Sequence, residues 1–181
     1  MVDLKLDLGC GANKKAGFLG VDALALPGVD VVHDLRLTPW PWEDGSVDEA
    51  NCSHFLEHLT NLDGKWERVR FFNELYRVMK PGAKCSLIVP HWASVRFYGD
   101  PTHKEPWSEM GFYYLSKTWR ASNAPHTDAA NVPGMYDCHF DATWGYSLHQ
   151  SLSARNQEYV QYAIQNFKEA CQDIVATLIK A

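Results

Sequence analysis

Asp7, Gly9, Gly11, Asp22 and Asp34 are the first residues whose types and order suggest ligand chemistry. Gly9 and Gly11 flank Cys10 and let the backbone turn sharply, with no Cβ to hold a ligand away. The turn follows Leu4, Leu6 and Leu8, an apolar run that reads as a short buried strand with Asp7 just before its end. A nucleotide-like ligand lies across the carboxyl end of such a strand. Asp22 closes a second run, Gly17 to Asp22, eleven residues beyond Gly11. A carboxylate there can accept from two ribose hydroxyls, or simply start a surface turn. Asp34 closes a third run, Val29 to Leu35, where it can accept from an adenine amino group or cap the next loop. The glycines alone are a weak signal, because Asn13 stands where a further glycine of the fingerprint belongs.

A second constellation is His54-x-x-Glu57-His58, which matches the H-x-x-E-H signature of inverted zinc peptidases. On a helix, His54 and His58 share a face and Glu57 can activate a zinc-bound water. That makes a zinc hydrolase a remote alternative to a structural or pocket-lining role. Asp100 and the scattered His91, His103, His126 and His139 are loose candidates for a general base, with no tight metal spacing.

The elements that must position these residues follow from periodicity and punctuation. Val47 to Ser53 reads as a fourth strand after the Pro39–Trp42 and Asp44-Gly45 breaks. Trp66, Val69, Phe72, Tyr76 and Met79 fall on one stripe of a helix over about Lys65 to Lys80, stopped by Pro81-Gly82. Lys84 to Val89 is a fifth strand, and His91 follows it. Ser94 to Pro106 is irregular and Ser108 can cap a helix to Ala121. Asn123 to Gly134 reads as a loop. Tyr136 to Leu148 alternates as a strand, and Asn156 to Lys180 reads as a long closing helix with an apolar stripe. Strands preceding a helix and a further strand suit an α/β fold: a Rossmann-like, open, mostly parallel sheet with helices on both faces, and room for an antiparallel edge strand.

The 181 residues suit one domain, 1–181, with a core of motifs over 4–105 and a divergent part over 106–181. A net charge of −5 without a basic run argues against duplex nucleic acid as the partner. Five scattered cysteines read as free thiols in a reducing compartment. No run approaches the ~18 apolar residues of a membrane span, and the N-terminus lacks a signal-peptide pattern. A cytoplasmic location is the expectation. The closing helix offers a surface for homodimerisation as well as for core packing.

With these pieces in order, the chain resembles a class I S-adenosylmethionine-dependent methyltransferase over roughly residues 4 to 105. Leu6-Asp7-Leu8-Gly9-Cys10-Gly11 looks like that fold's first motif, and Gly20-Val21-Asp22 like its ribose-holding second strand. Asp34-Leu35 resembles the pair beside the adenine. Pro41 to Asp48 and Phe55-Leu56-Glu57-His58-Leu59 resemble the run around strand four, and Glu74 to Ala83 the helix-to-strand-five signature of the small-molecule branch. Asn13-Lys14-Lys15 and Asp100-Pro101-Thr102-His103 resemble a bacterial and phage subgroup. The resemblance implies S-adenosylmethionine as cofactor, S-adenosylhomocysteine as product, and a small-molecule acceptor. It implies cofactor contacts from Asp7, Gly9, Cys10, Gly11, Asp22, Asp34, Leu35 and Ser53. His91 and His103 are the acceptor-side candidates, since a hydroxyl or ammonium acceptor must lose a proton. Asn51-Cys52-Ser53-His54 replaces the Asn/Asp-Pro-Pro-Tyr motif, which weighs against amino methylation of DNA bases. A cofactor-binding or inactive accessory protein of the same fold is the alternative.

Overall fold

A computed structural model describes residues 3–181. Its centre is a seven-stranded sheet in the order β3-β2-β1-β4-β5-β7-β6. The strands are β1 (Lys5–Leu8), β2 (Leu19–Asp22), β3 (Val31–Val32), β4 (Val47–Ser53), β5 (Met79–Pro90), β6 (Phe140–Leu148) and β7 (Cys171–Lys180). The first five run parallel. β7 lies antiparallel between β5 and β6. The edge strand expected over 136–148 is therefore present, and the reversed strand is its neighbour.

β1 reads as a near-continuous buried run because both its faces are covered, as a central parallel strand requires. The strand order reverses between β1 and β4, so the loops after them open the crevice where ligands bind in such sheets. Among the described residues, no helix joins β1 to β2, β2 to β3 or β3 to β4; turns alone carry the chain. The main helix of the first half, α1 (Glu67–Val78), buries Val69, Phe71, Phe72, Leu75 and Val78. Phe71 meets Trp40 and Phe55 edge-on or tilted, at 5.3 and 5.7 Å between ring centroids. This aromatic cluster is the floor beneath the loops of the crevice. Trp66 stands outside the expected stripe, at the N-cap with left-handed backbone, and Met79 already belongs to β5.

The region after β5 departs most from expectation. Short helices α2 (Val95–Tyr98), α3 (Glu109–Tyr113), α4 (Lys117–Asn123) and α5 (Asp128–Asn131) replace the single helix and the loop expected there. Ser116, not Ser108, accepts a capping hydrogen bond, from Trp119 N–H. The long closing helix is corrected. Only α6 (Gln157–Asn166) is helical, and Cys171–Lys180 enters the sheet as β7. The chain breaks at Glu169, whose backbone is left-handed at φ 63°. β-branched Ile174, Val175, Thr177 and Ile179 then favour the extended form. Of the helix expected to offer a dimer surface, only the Gln157–Asn166 part remains helical. No described helix is long and apolar enough to cross a membrane. The five cysteines are all free.

Candidate functional site

The turn after β1 is held from three directions. Gly9 N–H and Cys10 N–H both donate to the Val21 carbonyl, at 2.9 and 3.1 Å. Gly11 N–H donates to Asp22 Oδ2 at 2.9 Å, and Asp22 Oδ1 accepts from Leu24 N–H at 3.0 Å. Asp7, only 3% exposed, accepts from Lys15 N–H at 2.6 Å on one oxygen and from Asn51 Nδ2–H at 2.7 Å on the other. Asp7 thus fixes the far end of the turn and ties it to β4. Gly9 has φ +68°, and a Cβ there would lie 2.4 Å from the Phe55 ring. Cys10 keeps its proton: burial pushes its thiol up, and Asp7 and Asp22 add to that.

Two hollows meet at Gly9. The larger, about 520 Å³, is lined by Asp7, Gly9, Cys10, Gly11, Ser53 and His54. The smaller, about 110 Å³, is lined by Gly9, Asp22, His33, Asp34, Leu35 and His58, among others. A hollow of about 560 Å³ between Phe112, Trp119 and Trp144 lies against β6 and holds none of these glycines or carboxylates. We place the site at Gly9 for that reason. Every cofactor-side residue expected from the sequence borders one of the two hollows.

The residues fit an adenosyl group. Each oxygen of Asp22 accepts one backbone N–H and keeps a lone pair for a ribose hydroxyl. His33 was not anticipated; its buried Nε2 makes no hydrogen bond among the described residues and borders the smaller hollow. A buried ring nitrogen without a partner is what an adenine edge would satisfy. Asp34 is less free. Arg36 holds both its oxygens, at 2.8 to 3.2 Å, and keeps its carboxyl below the usual range. The Leu35 carbonyl is taken by Trp40 Nε1–H at 3.1 Å, so Leu35 offers an apolar wall.

The histidines separate. His91 is 1% exposed and borders neither hollow. Its Nδ1 accepts from Ala93 N–H at 3.2 Å, which leaves the proton on Nε2, 3.3 Å from Glu109 Oε1. That contact draws the Glu109 carboxyl below its ordinary range. His103 lies apart from it, with Nδ1 at 2.8 Å from the Phe97 carbonyl and its ring edge-on to His58. The helix needed for the H-x-x-E-H reading is missing. Leu56–His58 is one turn of 3-10 helix, and His54 precedes it with left-handed backbone at φ 53°. His54 and His58 therefore share no helical face.

Comparison with known proteins agrees with this geometry. Residues 22–87 match the family model described as a methyltransferase domain. No relative among the curated proteins matches the sequence. Solved structures share the fold. A SAM-dependent methyltransferase from Archaeoglobus fulgidus is 19% identical, with TM-score 0.66 over 98% of this chain and 86% of its own. A SAM-dependent methyltransferase from Methanosarcina mazei is 17% identical, with TM-score 0.57 over 99% and 93%. A geranyl diphosphate C-methyltransferase from Streptomyces coelicolor A3(2), solved with S-adenosyl-L-homocysteine, is 17% identical, with TM-score 0.53 over 99% and 70%. The chain has the fold of these class I methyltransferases, and residues 22–87 match the methyltransferase-domain model. S-adenosylmethionine is the cofactor of that class.

Proposed function

We propose that this protein binds S-adenosylmethionine across Gly9 and directs its methyl group to a small-molecule acceptor. The observation that carries the reading is the meeting of two hollows at Gly9, flanked by an Asp22 carboxylate with lone pairs to spare. The cofactor's sulfonium supplies an already activated methyl group. The chain's residues have the remaining work: to bind, align and exclude water. Asp22 holds the ribose, while His33, Asp34 and Leu35 border the adenine. Gly9, Cys10 and Gly11 let the backbone approach the methionine part, and Ser53 and His54 close the hollow on that side. Asp7 reaches the cofactor only through the turn it braces.

Of the two histidines expected on the acceptor side, His91 takes a positioning role, while His103, which also lines neither hollow, reaches the smaller one only through its edge-on contact with His58. His91 ties the end of β5 to α3 through Glu109 and has no ring nitrogen to spare. The absence of a basic run and the size of the hollows favour a small acceptor over a nucleic acid. Five free thiols favour the cytoplasm. Titration calorimetry with S-adenosylhomocysteine tests the binding step: heat from the wild-type chain and at least about tenfold weaker binding by Asp22→Ala, equivalent to roughly 1.4 kcal/mol. No heat from the wild-type chain overturns the reading. Binding without label transfer to any fraction of a cell extract would favour the accessory alternative.

A further inference from the structure

We propose that Glu57, His58 and His103 bind one divalent transition-metal ion of the zinc class beside the Gly9 hollows. Glu57 is 2% exposed, and neither of its carboxylate oxygens makes a hydrogen bond among the described residues. A buried, unpartnered carboxylate is strongly unfavourable unless a positive group balances it. Arg68 does not fill that role: its guanidinium donates to the carbonyls of Leu56, Glu105 and Pro106. His54 Nδ1 stands 3.4 Å from Glu57 Oε1 and its imidazole is drawn toward the charged form by that carboxylate, but the side chain is 45% exposed, the contact lacks hydrogen-bond alignment, and Glu57 Oε2 has no partner among the described residues. Glu57, His58 and His103 each offer a ligand atom, and these three atoms lie within 4.8 Å of one another.

The hydrogen bonds around the rings fix their tautomers for ligation. His103 Nδ1–H donates to the Phe97 carbonyl at 2.8 Å, so its Nε2 carries a lone pair. Thr102 Oγ1–H donates to Asp100 Oδ1 at 2.7 Å and therefore accepts from His58 Nδ1–H at 3.2 Å. His58 too is left with a lone pair on Nε2. Ligating histidines are oriented in this way, the second ring N–H being given to a carbonyl or to a carboxylate-linked group. The His103 Nε2 lone pair then faces Glu57 Oε1 at 3.9 Å and Asp100 Oδ2 at 3.7 Å. Acceptors facing acceptors need a positive centre between them. A proton on Nε2 would leave both contacts too long for N–H···O hydrogen bonds. A cation suits them, because bonds of about 2.0–2.2 Å set tetrahedral edges of about 3.4 Å. Two imidazoles and one carboxylate favour zinc or a neighbouring first-row ion over magnesium or calcium, and they leave a coordination position open. The ion would pin residues 100–103 to the turn after β4, with His58 shared between the metal and the smaller hollow.

The full chain is stripped with a chelator, reloaded with zinc sulfate, desalted and measured by elemental analysis. About one zinc per chain is expected, with below about a tenth in His58→Ala and in His103→Ala and about one in the distant control His149→Ala. Cobalt(II) loading of the wild-type chain adds a readout that no variant's folding can confound. Visible ligand-field bands of low-symmetry cobalt are expected, bleached by excess zinc. Wild-type chain that retains less than about a tenth of an equivalent and gives no cobalt bands overturns the proposal. So does a folded His58→Ala/His103→Ala double variant that still holds a full equivalent. Metal content is read without cofactor, so its failure is distinct from a failure of S-adenosylhomocysteine binding.

Discussion

Asp7 and Glu57 are nearly equally buried, at 3% and 2% exposure, the first in β1 and the second in the turn after β4. Both oxygens of Asp7 are satisfied, by Lys15 N–H and the Asn51 amide. Neither oxygen of Glu57 makes a hydrogen bond among the described residues. The cofactor turn is therefore complete in itself, built by a carboxylate that the fold consumes. The turn after β4 leaves its carboxylate facing His54 and His103 at 3.4 and 3.9 Å, with no aligned hydrogen bond to either. Burial alone does not separate a structural acid from a functional one; the partner inventory does.

Substitutions can break that contrast directly. Asp7→Ala should cost the most, about 2 to 3 kcal/mol, because it removes both hydrogen bonds that tie the turn together, those from the Lys15 N–H and the Asn51 amide. Glu57→Gln in the metal-free chain should cost nothing or stabilise by up to about 1 kcal/mol, since it removes an unpaired buried charge. Urea unfolding of the two variants side by side reads the difference, and equal losses would erase the distinction. Gly9→Ala comes next at about 2 kcal/mol, from a side chain forced into Phe55 and a left-handed backbone. A thermal melt checks it, and Gly11→Ala should cost less because its Cβ would meet nothing within 4 Å. Arg36→Ala separates two uses of Asp34. If adenine uses that carboxylate, freeing it should leave S-adenosylhomocysteine affinity equal or a few-fold tighter by calorimetry, whereas Asp34→Ala should weaken it.

The smallest effect concerns pH. Hydrogen bonding to His91 lowers the Glu109 carboxyl from its ordinary 4.5. A group depressed by folding contributes stability above its unfolded pKa and loses it as pH falls through the folded one. Wild-type stability should therefore exceed that of Glu109→Gln by about 1 kcal/mol at pH 7. That margin should shrink only below about pH 4.5. Denaturant midpoints at pH 7 and pH 3.5 measure it, and a margin unchanged at acid pH would contradict the pairing.

The first five strands were legible because each local signal agreed with its place in the sheet. Leu4, Leu6 and Leu8 alternate with Lys5 and Asp7, Val47–Ser53 has the observed bounds, and Pro81-Gly82 lies beside the junction of helix and strand. β7 was not legible. Phe167, Ala170, Cys171, Ile174 and Leu178 satisfy helical spacing, while Ile174, Ala176 and Leu178 equally satisfy strand alternation. The break between the two elements lies at Glu169, a residue type that gives no warning of left-handed backbone. In the site, the glycines and Asp22 were legible because neighbouring strand ends are short in sequence separation. The meeting of Glu57 with His103 was not, because 46 residues separate them and only the packed chain closes that gap. His91 misled for the converse reason. Its place after β5 was read correctly, but its burial depends on Glu109 and on the strand that covers it.

The position of β7 also bears on biosynthesis. Among the described residues, β6 has no partner in the sheet except β7, and β5 presents one of its edges to β7 alone. While the ribosome is still making residues 171–180, the nascent chain holds two open strand edges rather than a sheet one strand short. Open edges invite pairing with other chains. The stretch that seals both is the last of the seven strands to be made, so β5 and β6 each keep an exposed edge until residues 171–180 have left the exit tunnel.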